Sequence, residues 1–288
     1  MPVLPIDLPR EVWTARSQAH AARVDALTAG ARARRAAGTR HPVEDFLYEY
    51  YNTRPSLLRR WHPGPGVVLT GPAPHADWRW YTADGDVVRL DVDAFLADRG
   101  GTVGFVHRLL GATASRPAFT GCFGLHEWAM VYRADDRRHT LPLRLGKAGT
   151  DAVVEAHPVR CTHFDAFRFF TPPAAPLNRL QPTRATQPEL EQPGCLHATM
   201  DLYKWALKLS PATPAELVAD CFELAADVRV LDMRASPYDL RGHGYASVAI
   251  ETPEGKAAYV AAQRGFAGRG AALRRRLLDV CDRLLVAG

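Results

Sequence analysis

Three stretches of this chain place ionisable side chains inside runs otherwise too apolar to stay in water. Cys161–Phe170 carries His163 and Asp165 among four phenylalanines, Gly124–Tyr132 carries His126 and Glu127, and Cys195–Trp205 carries His197 and Asp201. Burying an imidazole or a carboxylate costs several kcal/mol, on the order of 2–7 for a polar group alone, unless it finds a partner. Three such segments are satisfied together if they meet. The expectation is a polar cluster inside a hydrophobic shell, as in an active site or a metal site.

At 288 residues, with 47% apolar side chains, the chain can bury one large core, and we expect a single domain over residues 1–288. The N-terminal Met1–Asp7 is proline-broken and holds an acid, unlike a secretory leader, so a cytoplasmic location is expected. There is no run of about 18 apolar residues to span a bilayer, which argues against a membrane partner. Five cysteines (122, 161, 195, 221 and 281), odd in number and never in a Cys-x-x-Cys pair, suggest reduced thiols rather than disulfides or a zinc finger. The net charge of +5 sits at the two ends. Arg32, Arg34, Arg35 and Arg40 form one run without acids, and Arg264, Arg269 and Arg274–Arg276 another. Either run could neutralise phosphates, but both also suit solvated helix faces. Nothing points to an obligate protein partner.

The chain reads as mainly α, with a small β-hairpin element. A helix is expected from Pro9 to Ala37, a second opening at His41-Pro42, and a hairpin from Trp78–Thr82 and Asp86–Leu90 after a strand at Val67–Leu69. Asp91 should cap Val92–Asp98, with another helix over Thr102–Ala114. Helices are expected around Gly124–Tyr132, over Leu196–Leu209 and over Pro214–Met233. Thr252 should cap a long terminal helix starting at Pro253. Short strands are expected at Ala152–Thr162 and Ala246–Glu251, and a charged turn at 133–139. Residues 171–194 hold six prolines and no periodicity, and should form an ordered arm beside the site.

His197 and Asp201, at i and i+4, project from one helix face, which suits two ligands of one metal or an imidazole oriented by a carboxylate. If the cluster exists, the His163 and His197 side chains should approach within about 8 Å, a distance that one metal or water could bridge. Asp220, Glu223 and Asp227 share a face of the following helix, but no Glu-x-x-His pair accompanies them, so a solvated acidic face is the simpler expectation. No P-loop, no Gly-x-Gly-x-x-Gly opening a helix and no Gly-x-Ser-x-Gly is present.

Four blocks carry a resemblance: GCFGLHEWAMVYR (Gly121–Arg133), THFDAFRFFTPPAAPLN (Thr162–Asn178), EQPGCLHATMDLYKWALKLSP (Glu191–Pro211) and ELVADCFELAADVRVLDMRASPYDL (Glu216–Leu240). Together they are similar to actinobacterial proteins labelled 3-methyladenine DNA glycosylase. The resemblance implies an N-glycosidic bond hydrolase that excises a base from alkylated DNA, or acts on a related nucleoside, with no cofactor. In helix-hairpin-helix glycosylases a glycine-rich hairpin precedes a helix bearing a catalytic Asp. Here Lys208–Pro214 joins two helices with prolines in place of those glycines, and Asp227 follows.

Under this reading Asp165 or Asp201 stabilises the sugar cation or positions water, His163 or His197 acts as acid or base, and Glu127 assists. Trp128, Tyr203, Lys204, Arg179 and Arg184 would contact the substrate. The alternative is an enzyme dependent on a divalent metal and acting on a small molecule. His126, His163, Asp165, His197 and Asp201 would be its ligand candidates, an N/O set suited to Zn, Fe or Mn.

Overall fold

The computed structural model describes residues 5–134 and 140–287, so the charged turn at 133–139 lies mostly outside the described residues. The elements, in chain order, begin with β1 (Ile6–Leu8), α1 (Arg10–Leu27), α2 (Ala29–Ala36), α3 (Phe46–Tyr50), α4 (Pro55–Leu58) and β2 (Val67–Thr70). Next come β3 (Tyr81–Asp84), β4 (Val87–Leu90), α5 (Val92–Ala114), α6 (Leu125–Ala129), α7 (Gly146–Glu155) and α8 (Phe164–Phe167). The chain ends with α9 (Gln187–Leu190), α10 (Leu196–Lys208), α11 (Ala215–Arg234) and α12 (Pro253–Ala287). The architecture is mainly α with one small sheet.

Helix α10 is the axis. Ten of its thirteen residues are buried, as expected of a helix enclosed on all sides. It pairs along α11, and α12 lies across both and against α5. Thr252 starts α12 as its sequence suggests, its Oγ1 accepting from the Gly255 N–H at 3.0 Å. The sheet runs β1-β2-β4-β3, with β1 parallel to β2 and the β3–β4 hairpin antiparallel. It holds a second small core of Trp13, Trp61, Leu69 and Val88 beside the main one.

Local expectations fail where packing overrides propensity. Val92–Asp98 and Thr102–Ala114 are one helix, capped by Asp91, whose side chain accepts from the Ala94 N–H. Gly100 and Gly101 cost about 1 kcal/mol each against alanine, but Phe95, Val103, Val106 and Leu109 are buried on one side and hold the helix continuous. The strand expected at Ala152–Thr162 is instead the end of α7, with Val153 and Val154 buried, followed by a single bridge from Val159 to Asn178. Ala246–Glu251 forms no strand. Its Val248 N–H donates to the Arg234 carbonyl and Ile250 is fully buried, so this apolar run is a packed coil. The helix expected from His41 begins only at Phe46. The first long helix breaks at Thr28 into α1 and α2.

The acidic face of α11 is a set of surface ion pairs. Asp220 meets Arg23 and Arg276, Glu223 meets Arg23, and Asp227 meets Arg269. Some members of the terminal arginine runs are paired in the same way, Arg34 with Glu44 and Asp45 and Arg40 with Glu49. Arg274 is buried rather than solvated. No helix among the described residues is long and apolar enough to cross a membrane.

Candidate metal centre

The three polar-in-apolar segments converge beside α10. Before α6 the backbone turns through two left-handed residues, Phe123 at φ 47° and Gly124 at φ 71°, and this aims His126 and Glu127 inward. Gly194, ahead of α10, packs so closely that a Cβ there would stand 2.5 Å from the Phe119 carbonyl oxygen. A side chain at that position would displace the segment that delivers His197.

His126 Nε2 lies 2.8 Å from Asp232 Oδ1, and its ring centroid is 4.4 Å from that of His197. The His163 ring stacks on His197 at 5.3 Å, inclined by 28°. All three imidazoles are buried. Arg229 donates to Glu127 Oε1 at 2.9 Å and to Asp232 Oδ2 at 3.1 Å, and its guanidinium stands 3.8 Å over the Phe46 ring.

Beyond His163 the network continues. Its Nε2 is 3.2 Å from Glu191 Oε1 and 3.3 Å from Asp201 Oδ2. Asp201 accepts from the Tyr51 hydroxyl at 2.8 Å and from Lys204 Nζ at 2.9 Å. Lys204 also reaches Asp165 at 2.5 Å, and Arg168 stands 3.2 Å from the same carboxylate. One chain of contacts thus links a buried histidine cluster to the half-buried Lys204.

Burial and charge set the protonation pattern. Burial pushes His197 well below the ordinary imidazole range, reinforced by its cationic neighbour His126, so it is neutral. Burial alone would also lower His126, but Asp232 and Glu127 more than offset it and its value is raised. His163 follows the same logic, with burial opposed by Glu191 and Asp201 and a net rise. Burial raises the Glu127 and Glu191 carboxyls. Asp201 is held far below the usual carboxylate range because Lys204 and His163 outweigh its burial. Asp232 is lowered similarly by His126, against its burial.

One N from each of His126 and His197 and one O of Asp232 lie within 4.8 Å of one another. Donors around a tetrahedral zinc at about 2.0–2.1 Å sit roughly 3.3 Å apart, so modest side-chain rotation would close this triad on an ion. The donor set suits Zn, Fe or Mn. Among the described residues no hydrogen bond engages the His197 ring, which leaves its nitrogens free for a ligand. His126 and His197 line a cavity of about 10 Å³ together with Cys122, Cys161 and Cys195. That volume holds about one water. Burial raises all three thiols, Cys161 to about 12, so they line the cavity as neutral apolar groups.

Of the residues singled out from sequence, His126, His163 and His197 come together, and Glu127 joins through Arg229. Asp201 and Asp165 belong to the Lys204 end instead, and Asp201 contacts His163 but is not part of the triad. Trp128 is fully buried, its Nε1 donating to the Ala235 carbonyl, and Tyr203 is fully buried, so both are core residues here rather than contact surfaces. Arg179 is exposed and Arg184 lies over the Phe164 ring at 5.4 Å. The proline-rich arm does reach the site, because its last residues supply Glu191 and Gln192.

Sequence reasoning missed Asp232, Arg229, Glu191 and Tyr51. For the first two a signal existed: Arg229 and Asp232 stand three apart within the apolar run Val228–Met233, the same polar-in-apolar pattern that flagged the others. Glu191 follows no apolar run and carried no such mark. No family model, curated protein or solved structure matches the chain.

Proposed function

We propose that this protein is a metal-dependent enzyme acting on a small molecule, with His126, His197 and Asp232 as ligands. The observation that carries the reading is a neutral, buried His197 with no hydrogen bond among the described residues, set against His126 and Asp232 in a triad of ligand-atom size. Structural histidines in cores are ordinarily hydrogen-bonded. A divalent ion held there would supply Lewis acidity and lower the pKa of a bound water. The chain's own groups orient the donors. Arg229 fixes Asp232 through Oδ2 and leaves Oδ1 toward His126. His163 flanks His197 and can hold a proton between Glu191 and Asp201.

Protein stripped of metal should take up one equivalent of Zn(II) or Co(II) by isothermal titration calorimetry. Binding should weaken at least about a hundredfold in His197→Ala, a loss at or above the upper range for outer-sphere residues. Because His126 must give up its proton to coordinate, affinity should rise with pH and proton release should accompany binding. The cobalt spectrum should lack a thiolate charge-transfer band, since the thiols are not in the ligand set. Absence of stoichiometric binding, or equal binding by His197→Ala, would remove the reading.

The N-glycosylase reading draws its support from the other end of the network, where Asp165 and Asp201 meet a lysine that lines an open groove. Asp201 is completely buried and Lys204 is held between the two carboxylates, so this chemistry requires the network to open on its substrate. Its expected result is release of 3-methyladenine from alkylated DNA by the wild-type chain, lost in Asp165→Asn.

A further inference from the structure

A groove lies outside the histidine cluster and plays no part in the metal reading. Two depressions of about 270 and 280 Å³ share Trp80, Leu207 and Ser210, and so run into one another. Their combined lining carries Trp78 and Trp80 together with Arg60, Arg99, Lys204 and Lys208, with Arg79 beside them, and includes no aspartate or glutamate. Both tryptophans are only half-buried, and each already carries a guanidinium over its ring, Arg60 at 5.8 Å on Trp78, and Arg79 at 4.2 Å and Arg99 at 5.6 Å on Trp80. Arg60 and Lys208 are exposed and make no ion pair among the described residues. Of the other cations, Arg79 is paired with Asp98 at 2.6 Å and Arg99 stands 4.0 Å from the same carboxylate.

Indole faces take planar rings, and Arg60 and Lys208, with Arg99 only loosely held by Asp98, leave the groove positive toward an anion. The size matches a small-ligand pocket, commonly about 300–1,000 Å³. We infer that this groove binds a planar ring carrying a phosphate, the ring taking the place of a guanidinium against Trp78 or Trp80 while Arg60, Arg99 and Lys208 turn to the phosphate. Lys204 closes the groove on its inner side. It is already held by Asp201 and Asp165, so it contributes field rather than a free donor. The same chemistry is presented by a free nucleotide and by a nucleotide within a single strand, where aromatic platforms and basic grooves recur together.

Isothermal titration calorimetry at low salt, on the full chain with and without one equivalent of Zn(II), separates these sources. The probes are adenosine 5′-monophosphate, adenosine, inorganic phosphate and a ten-residue oligothymidylate. Saturable binding of the monophosphate, at least tenfold tighter than either adenosine or phosphate, marks a free-nucleotide site. Saturable binding of the oligothymidylate alone marks a strand site, and either result upholds the groove. The Arg60→Gln/Lys208→Gln double variant, altered only at exposed positions, should bind at least tenfold more weakly while its thermal midpoint stays unchanged. The same binding should persist in His197→Ala, so failure of the metal reading would leave this one standing. No saturable binding of either nucleotide probe, phosphate binding as tightly as the nucleotide, or full affinity in the double variant would overturn it.

Discussion

Arg229→Met is expected to cost about 3–5 kcal/mol of folding stability, the range measured when one partner of a buried ion pair is removed. The guanidinium is essentially inaccessible, donates to Glu127 and Asp232, and covers the Phe46 ring. Without it, two buried carboxylates share only His126 as a nearby cation. Methionine fills much of the same volume, so the loss is electrostatic rather than a cavity. Glu127 is already raised by burial and would take up a proton first, relieving part of the cost. Arg229→Met with Glu127→Gln should therefore recover a substantial part of the lost stability, which two independent effects would not do. Urea unfolding followed by circular dichroism measures both variants. A loss below about 1 kcal/mol for the single change would mean that the pair is solvated and that the cluster is not enclosed as described.

The same residues show what could be read from the sequence and what could not. His126, His163 and His197 were legible because each interrupts an apolar run, and the desolvation cost makes such an interruption improbable without a partner. The partners were less legible. Asp232 and Arg229 sit three apart in a helix whose opposite face displays Asp220, Glu223 and Asp227, and the acidic face drew attention that belonged to the buried one. Glu191 lies where the proline-rich arm joins α10, and only the folded path of that arm brings it to His163. Asp201 was correctly placed on the same helix as His197. Because i and i+4 residues diverge slightly around an axis buried on every side, it meets Tyr51 and Lys204 while His197 meets His126. Long elements with caps, α12 above all, were legible from their ends. The region of α7 and the coil at Ala246–Glu251 were not, since a short apolar run serves helix, strand or packed coil equally well until its neighbours are known.

Stability should fall as pH rises from about 7.2 to 8 in metal-free protein. His126 and His163 each keep a proton above the ordinary imidazole range, because Asp232 and Glu127 around the first, and Glu191 and Asp201 around the second, outweigh the burial that would remove it. In the unfolded chain a histidine releases its proton near pH 6.5. Below that value both states carry the two protons, and their contribution to stability is complete. Above it the unfolded state has fewer bound protons than the native state, so each pH unit removes up to about 1.4 kcal/mol per retained proton until the folded value is passed. Glu127 and Glu191, raised by burial, have a slope of the same sign that begins lower, in the ordinary carboxylate range near about pH 4.3. His197, His20, His41, His62 and His75 are lowered, so in the native state they are neutral while the unfolded chain still holds part of their protons near pH 6.5; they add an opposing rise at that end, which fades as the unfolded histidines finish titrating above about pH 7. The buried thiols begin to matter only where free cysteine ionises, about pH 8.5. Urea midpoints at about pH 7.2, 7.6 and 8.0 with a chelator present should decline. His163→Gln should flatten part of that decline, and His126→Gln another part. Saturating Zn(II) should abolish the His126 portion by displacing its proton, because a coordinated imidazole is neutral at both ends of the window. A flat or rising profile in the metal-free chain would mean that His126 and His163 are neutral where they stand, and that their carboxylate neighbours do not hold the charge assigned to them.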